Sequence, residues 1–453
     1  MLQKSWSRTN TSQMLKIKPE SIIVKFLVFF LLLSTETWAR DTHYDYPIKN
    51  PYLATVIGTP KNLEAVLPPE ENIPVKEMGL TVFKRRKIPD VFWYHDKFRF
   101  SVAYQKRKAP LIFNIAGTGS NYKAGKMRMM QRAFYKAGFH VVSLPSPTHT
   151  NFIVTASEKR VPGLISEDAK DLYRVMHLIY KKIKHDVKVT KFYLTGFSLG
   201  GAQAAFVAKL DEKMKMFNFR KVLLINPPVN LKRSVKSMDD LLVKNIPGGI
   251  NHVNEFLDDI FLDLAKAYSE EQNVDFSDSD FFFALYKNKR GAIRKDRLKV
   301  LIGMAFRFSC VNMVFTSDVM SQAGYVVPKG LKLYRYDSLT NYFKVNTRFG
   351  FMDYYKDFLF PYYSKRRKKI TKNSAIYHIS LKGVEGYLKR SKKIGVMTNK
   401  DDIILNSSEV DYLKSVFGTR AKIFPRGGHG GNISHYENVR EMIRFFKNRK
   451  KWN

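Results

Sequence analysis

The sequence predicts an α/β fold, with a mainly parallel central sheet, helices on both of its faces, and a mostly helical insertion. Between about residues 91 and 228, short apolar runs alternate with helical patterns. Strands that alternate with helices favour a parallel sheet that is covered on both faces. The alternation stops over 229–391 and resumes over 392–453. We therefore expect two core segments, 91–228 and 392–453, separated by an inserted cap.

The predicted elements follow in chain order. The region 40–90 is dotted with prolines and is expected to form an irregular extension on the surface of the core. Ser166 is expected to cap the N-terminus of a helix, because serine side chains accept hydrogen bonds from the first backbone N–H groups. Another helix is expected over 127–137, and two more within the insertion over 253–268 and 278–286. The strands are predicted at 98–104, 110–115, 139–144, 192–197, 221–226, 393–398 and 421–424.

The N-terminal residues 1–39 have the pattern of a signal peptide. Lysines flank or interrupt an apolar run that is unbroken over 26–33, and Thr37 and Ala39 place small residues where a signal peptidase reads the chain. The unbroken run is too short to span a bilayer, so cleavage is favoured over an uncleaved membrane anchor. Cys310 is the single cysteine and leaves no intramolecular disulfide. We expect an exported protein of a bacterial periplasm or cell envelope.

The chain is strongly basic, with a formal net charge of +38 and a pI near 10.0. The basic residues are spread along the whole chain, without the spacings of a zinc finger or of an RNA-binding motif, so we expect no specific nucleic-acid partner. Two hypotheses remain: an ordinary solvated basic surface, or attraction to an anionic membrane or cell-wall surface. The aromatic stretch 354–363, followed by the basic run 365–369, is either a core segment with a basic turn or a surface that meets lipid headgroups.

The stretch Gly196-Phe197-Ser198-Leu199-Gly200 carries the clearest chemical signal. It is a G-x-S-x-G pattern between an apolar strand and a helix of small residues, which is typical of a nucleophile elbow. A serine hydroxyl needs a base, usually a histidine oriented by a carboxylate. His429 lies in a glycine-rich turn after one predicted strand, and an Asp-Asp pair follows another. Because active sites form where parallel strands end, we expect these groups to meet.

With these motifs, residues 91–453 resemble an α/β-hydrolase with a large insertion. The resemblance implies that Ser198 is the nucleophile and that His429 is the general base. It implies Asp401 as the acid, from the pattern of Asp, any residue and two apolar residues, with the adjacent Asp402 as the alternative. The oxyanion hole is implied to use the backbone N–H of Leu199 and one from the loop 116–119, where Thr118 is our first choice and Gly119 the second. Ala116 stands where family members often have histidine, but only backbone N–H groups are needed.

The resemblance implies a serine hydrolase that cleaves a carboxylic ester, or a related acyl bond, through an acyl-serine intermediate. Acyltransfer, thioester cleavage and peptide cleavage use the same groups and remain alternatives, as does an envelope-binding protein that keeps the fold without turnover. The expected partner is an acyl-bearing small molecule or lipid. This mechanism requires no cofactor. No metal is expected, because no histidine or cysteine spacing accompanies the paired aspartates.

Overall fold

The computed structural model describes residues 44–246, 248–253, 255, 258, 295–366 and 371–447. Within them, eight strands form one sheet in the order β1-β2-β4-β3-β5-β6-β7-β8. The pairings of β1 with β2 and of β2 with β4 are antiparallel, and all the others are parallel. The strands are β1 Val75–Leu80, β2 Phe98–Ala103, β3 Ala109–Ile115, β4 His140–Leu144, β5 Val189–Phe197, β6 Val222–Ile225, β7 Ile394–Asn399 and β8 Ala421–Phe424.

Helices cover both faces of the sheet. In chain order, those used below are α1 Pro51–Ile57, α2 Gly125–Lys136, α3 Thr150–Thr155, α4 Ile165–Ile183, α5 Leu199–Met214, α6 Leu231–Val243, α7 Lys295–Ser321, α8 Thr340–Asn346, α9 Phe351–Asp353, α10 Phe360–Arg366, α11 Lys372–His378, α12 Glu385–Arg390, α13 Ser407–Phe417 and α14 Tyr436–Lys447. On one face, α4, α5 and α13 bury their apolar residues in one cluster with the strands. On the other face, the Phe446 ring of α14 packs edge-on against Phe134 of α2 and Tyr193 of β5. The predicted α/β fold class is confirmed.

The sequence prediction for 40–90 is wrong at two places. Helix α1 forms there, and β1 pairs along its whole length with β2 at the edge of the sheet. The proposed cap Ser166 is also wrong, since α4 begins at Ile165 and Leu164 is its N-cap residue. Ser166 lies in the first turn, and its hydroxyl instead contacts Nδ1 of His378 at 2.9 Å. The predicted signal peptide lies outside the described residues.

The described part of the insertion between β6 and β7 is helical, as predicted. Its longest helix, α7, is apolar and long enough to cross a membrane, but most of that length is buried inside the protein, as in a core helix. A π-helical turn, Tyr354–Leu359, joins α9 to α10. Most of the predicted helix 253–268, and all of 278–286, lie outside the described residues.

The aromatic stretch of the insertion belongs to the core. Tyr354, Phe358 and Tyr363 are buried, and the hydroxyls of the two tyrosines donate to the carbonyl oxygens of Pro162 and Val161, at 2.8 and 2.9 Å. Of the basic run that follows, residues 367–369 lie outside the described residues. The aromatic part of this stretch is therefore a core segment, as the first of the two hypotheses expected.

Candidate active site

Ser198 lies on a sharp turn between β5 and α5. Its backbone has φ 54° and ψ −124°, a conformation that residues other than glycine rarely adopt. Glycine is required two residues before and two residues after Ser198, because neither position has room for a Cβ atom. A Cβ atom on Gly196 would overlap the carbonyl oxygen of Gly200, and one on Gly200 would overlap the carbonyl oxygens of Ile115 and Ala116. The spacing of the motif thus follows from the close approach of this turn to the end of β3.

Three buried side chains form a hydrogen-bonded chain where the parallel strands end. The hydroxyl of Ser198 lies 2.9 Å from Nε2 of His429. Nδ1 of His429 lies 2.9 and 3.2 Å from the two carboxylate oxygens of Asp402. Each side chain is at most 6% exposed. With the proton on Nδ1 donated to Asp402, Nε2 has its lone pair directed at the serine hydroxyl, which is what a general base requires.

The carboxylate that contacts His429 belongs to Asp402, the alternative, and not to Asp401, the first choice. After β7 the chain turns, with the N–H of Asp402 donating to the carbonyl of Asn399 at 3.2 Å. This turn directs Asp402 towards His429. The Asp401 carboxylate instead accepts hydrogen bonds from the N–H groups of Gly427 and Gly428, at 3.2 and 3.0 Å. Asp401 therefore shapes the turn that carries the histidine.

Several donors hold the Asp402 carboxylate in place. The amide of Asn226 donates to Oδ2 at 2.8 Å, the hydroxyl of Thr398 lies 3.3 Å from the same oxygen, and the N–H of Ile404 donates to Oδ1 at 3.1 Å. A buried carboxylate without such donors would be costly. Sequence analysis missed Asn226. The signal in the sequence is an asparagine directly after the buried strand β6, which ends in this site. In the structure, Asn226 has φ 46°.

Leu199 and Thr118, the predicted oxyanion-hole donors, both lie beside Ser198: Leu199 follows it in the chain, and Thr118 lines the same cleft as Ser198. Leu199 begins α5, and the loop that follows β3 passes so close that a Cβ atom on Gly117 would lie 3.1 Å from Cβ of Ser198. In the described part of the chain neither N–H has a hydrogen-bond acceptor. The second choice, Gly119, is excluded, because its N–H donates to the hydroxyl of Thr148 at 2.8 Å.

Helix α1 supports the turn that carries His429. The hydroxyl of Thr55 accepts a hydrogen bond from the backbone N–H of His429 at 2.9 Å and donates to the carbonyl of Pro51 at 2.7 Å. The turn lies so close to α1 that Cβ atoms on Gly428 and Gly431 would overlap backbone carbonyls of α1. These contacts explain the glycines around His429. Sequence analysis treated this region as an irregular extension and did not identify Thr55.

A reciprocal pair of amides joins the end of β7 to the same turn. The side-chain amide of Asn399 donates to Oδ1 of Asn432 at 2.9 Å and to the carbonyl of Gly428 at 2.7 Å. The amide of Asn432 donates back to Oδ1 of Asn399 at 2.7 Å. Both amides are buried. These hydrogen bonds hold the end of β7, which precedes Asp402, against the turn that carries His429. They add to the direct contact between Asp402 and His429. Among the described residues, no group of three His, Cys, Asp or Glu side chains is placed to hold a metal ion.

Two clefts meet beside Ser198, and Thr118 lines both. The first, which we call the histidine cleft, is lined by Ser198, His429, Thr55 and Lys126, among others. The second, the apolar cleft, lies between the core and the insertion, and most of its exposed surface is apolar. The core contributes Thr118, Thr148, Gly163 and Leu199, and the insertion contributes Leu231, Lys232, Val235, Met313, Phe351, Tyr354, Tyr355, Leu359 and Ile379.

The mainly parallel sheet, the elbow after β5 and the chain order Ser, Asp, His decide the fold. It is the α/β-hydrolase fold. The resemblance seen in the sequence is therefore confirmed at the level of fold, with the insertion between β6 and β7.

No family model matches the chain, and the comparison with curated proteins finds no match. Among solved structures, the chain is similar to a thermostable esterase from Pseudomonas putida, at 13% identity and a TM-score of 0.40, over 87% of this chain and 86% of that one. It is also similar to an esterase from Pyrococcus furiosus, at 11% identity and a TM-score of 0.40, over 86% of this chain and 97% of that one. A thioesterase domain from the curacin biosynthetic pathway matches at 10% identity and a TM-score of 0.39, over 83% of this chain and 100% of that domain.

Proposed function

We propose that this protein hydrolyses carboxylic esters through an acyl-Ser198 intermediate. The observation that carries the proposal is the hydrogen-bonded chain Ser198–His429–Asp402 on a strained elbow. A strained backbone persists where the surrounding structure enforces it, and such positions cluster at active sites.

In the acylation step, the oxygen of Ser198 attacks the carbonyl carbon of the ester while its proton passes to Nε2 of His429. The carbonyl oxygen becomes an oxyanion that faces the N–H groups of Leu199 and Thr118, which stabilise it without reorganising. The carbon–oxygen bond to the alcohol then breaks, and His429 returns its proton to the leaving alcohol. Asp402 holds the imidazole and stabilises its cation throughout.

In deacylation, water takes the place of the alcohol. The water oxygen attacks the acyl carbon while His429 removes a proton from the water. The bond between the acyl carbon and the Ser198 oxygen then breaks. His429 then protonates the serine, which releases a carboxylic acid and restores the site.

The two clefts indicate how a substrate is oriented. The leaving alcohol must lie on the side of His429, because His429 protonates it, and that side is the histidine cleft. The acyl group then extends past Thr118 and Leu199 into the apolar cleft. The substrate class that this arrangement supports best is an ester with an apolar acyl chain.

The test uses the purified chain with a fluorophosphonate probe and with p-nitrophenyl esters of increasing acyl length. Ser198→Ala should abolish labelling and lower kcat by several orders of magnitude, because the attacking oxygen is lost. Ser408→Ala, at the exposed start of α13, is the matched control and should keep both. Parallel assays with thioesters, peptides and added alcohol acceptors distinguish the other acyl chemistries. Near-native hydrolysis by Ser198→Ala would contradict the proposal.

A further inference from the structure

Two surface loops present large aromatic side chains to solvent at one place. We call the set Trp93, Tyr94, Tyr334 and Tyr336 the aromatic surface. Tyr336 is 91% exposed, and Trp93, Tyr94 and Tyr334 are each more than half exposed. Exposed single aromatics are common, but a group of this kind on one surface marks an interaction site.

The two loops that carry the aromatic surface are joined to each other. The backbone N–H and the guanidinium of Arg335 donate to the Asp90 carboxylate at 2.9 Å, and the same guanidinium lies 5.8 Å from the centre of the Trp93 ring. The Trp93 and Tyr94 rings are in edge contact at 5.8 Å. These contacts place Trp93 and Tyr94 beside Arg335, whose neighbours in the chain are Tyr334 and Tyr336.

A rigid base lies behind these loops. Phe92, next to Trp93, is buried, and its ring packs edge-on against Phe315 of α7 at 6.0 Å. Leu333, between the exposed residues of the other loop, is buried in the same apolar cluster. That cluster also contains Met313 and Phe351, which line the apolar cleft. Buried neighbours in the chain, Phe92 and Leu333, therefore hold the exposed aromatic rings against the body of the protein.

Basic residues outnumber acidic ones in the two segments that carry the aromatic surface. The two segments that carry it, 84–97 and 328–337, hold eight Lys or Arg residues and three Asp residues. Asp90 is engaged by Arg335, and the Asp337 carboxylate accepts a hydrogen bond from the N–H of Tyr334 at 2.8 Å. Lys329 and Lys332 are exposed in the same loop as Tyr334. The surface combines apolar rings with cations.

We propose that the aromatic surface binds the headgroup layer of a membrane that contains anionic lipids. Trp and Tyr rings are enriched where hydrocarbon meets water, because one side of each ring system is apolar and the other is polar. Lysines next to them attract anionic headgroups, as does the whole chain with its net charge of +38. A lipid surface fits better than a protein partner, because lysine is depleted from protein–protein interfaces. The proposal does not depend on the activity of Ser198.

The experiment is sedimentation of the purified chain with vesicles of phosphatidylcholine alone, and with vesicles of an equal mixture of phosphatidylcholine and phosphatidylglycerol. We expect binding to the anionic vesicles that weakens with added salt. The double variant Trp93→Ala/Tyr336→Ala should lower the partition coefficient about tenfold or more, since two interfacial rings are lost. Tyr377→Ala, at an exposed tyrosine of α11, is the matched control and should bind like the original chain.

A second pair of variants tests the charge. Lys329→Gln/Lys332→Gln should lower binding to anionic vesicles about tenfold or more, whereas Lys106→Gln/Lys108→Gln makes the same charge change elsewhere on the surface and should lower it far less. Circular dichroism melts confirm that each variant is folded. Ser198→Ala should bind vesicles normally, which separates this proposal from the proposed activity. Equal binding by the aromatic variant and its control, or a change only in self-association by size-exclusion chromatography, would overturn the proposal.

Discussion

Two adjacent carboxylates, Asp401 and Asp402, have different surroundings because the turn after β7 points them apart. Asp402 contacts Nδ1 of His429, while Asp401 accepts hydrogen bonds from Gly427 and Gly428. Asp402→Asn should lower kcat by roughly 10⁴-fold, because an amide that donates to Nδ1 favours the wrong tautomer of the imidazole. Steady-state kinetics on a p-nitrophenyl ester measures the loss.

The neighbouring variant Asp401→Asn is the matched control. Gly427 and Gly428 donate to different oxygens of Asp401, so asparagine keeps one of the two acceptors, and we expect kcat to fall less than about tenfold for the loss of one hydrogen bond. Burial raises the pKa of the Asp401 carboxyl, so the neutral amide also removes a charge that burial disfavours. If Asp401→Asn were the more damaging substitution, the contact seen between Asp402 and His429 would not be the one that supports catalysis.

At the scale of residues, the sequence predicted the groups with the most distinctive surroundings. Ser198 and His429 are each marked by glycines, which are required because backbone carbonyls pass where a Cβ atom would lie. Both Asp401 and Asp402 fit the pattern of Asp, any residue and two apolar residues. The direction of the turn after β7 decides which of them contacts His429, and the sequence does not give that direction. Thr55 and Asn226 could not be assigned, because their partners are distant in sequence: Thr55 contacts His429, 374 positions away.

At the scale of elements, helix α1 contacts the candidate active site, although it lies hundreds of residues before His429 in the chain. Thr55 holds the backbone N–H of His429, so Thr55→Val removes that acceptor without a large change in volume. We expect kcat to fall about fivefold to tenfold, in line with the loss of about 1 kcal/mol for one hydrogen bond. KM should change less, because the base, and not the acyl site, is displaced. Initial rates over a range of ester concentrations give kcat and KM separately.

Thr55→Ser keeps the hydroxyl and should restore kcat to near the original value. A merely structural role for Thr55 would lower the melting temperature in Thr55→Val while leaving kcat per folded molecule unchanged. Because unfolding is measured separately by circular dichroism, a loss of kcat in fully folded Thr55→Val identifies Thr55 as a positioning residue for His429.

The elements that the sequence predicted well are those buried on both faces. Every residue of β6 and β7 is buried, and β6 together with the first four residues of β7 is free of charged and polar side chains, because helices cover the sheet on each side. Helix α1 and strand β1 were missed for the opposite reason. The strand lies at the sheet edge with half of its residues exposed, and α1 is only seven residues long. The start of α1 did carry a signal, since Asn50 caps it and Pro51 occupies its first turn.

At the scale of the whole molecule, a chain with twice as many basic as acidic residues still buries several carboxylates. Asp168, in the first turn of α4, is 3% exposed. Its oxygens accept hydrogen bonds from the N–H of Gly163 and from the amide of Gln203. Burial is the largest effect and raises the pKa of the Asp168 carboxyl to about 8. This group therefore keeps its proton in the folded chain under conditions where the unfolded chain has lost it.

The raised pKa of Asp168 makes the stability of the protein depend on pH. In the unfolded chain the carboxyl has a pKa near 3.8, so its contribution to stability is fully present below that pH and is lost as the pH rises to about 8. Asp168→Asn stays neutral, and its amide can donate to Oε1 of Gln203, which is buried without a partner in the described chain. We expect the free energy of unfolding of Asp168→Asn, relative to the original chain, to rise from pH 5 to pH 8 and to level off above pH 8. Urea unfolding across this range measures it, with the exposed Asp186→Asn as the control whose difference stays constant. A difference for Asp168→Asn that is equally constant would mean that Asp168 is ionised in the folded protein.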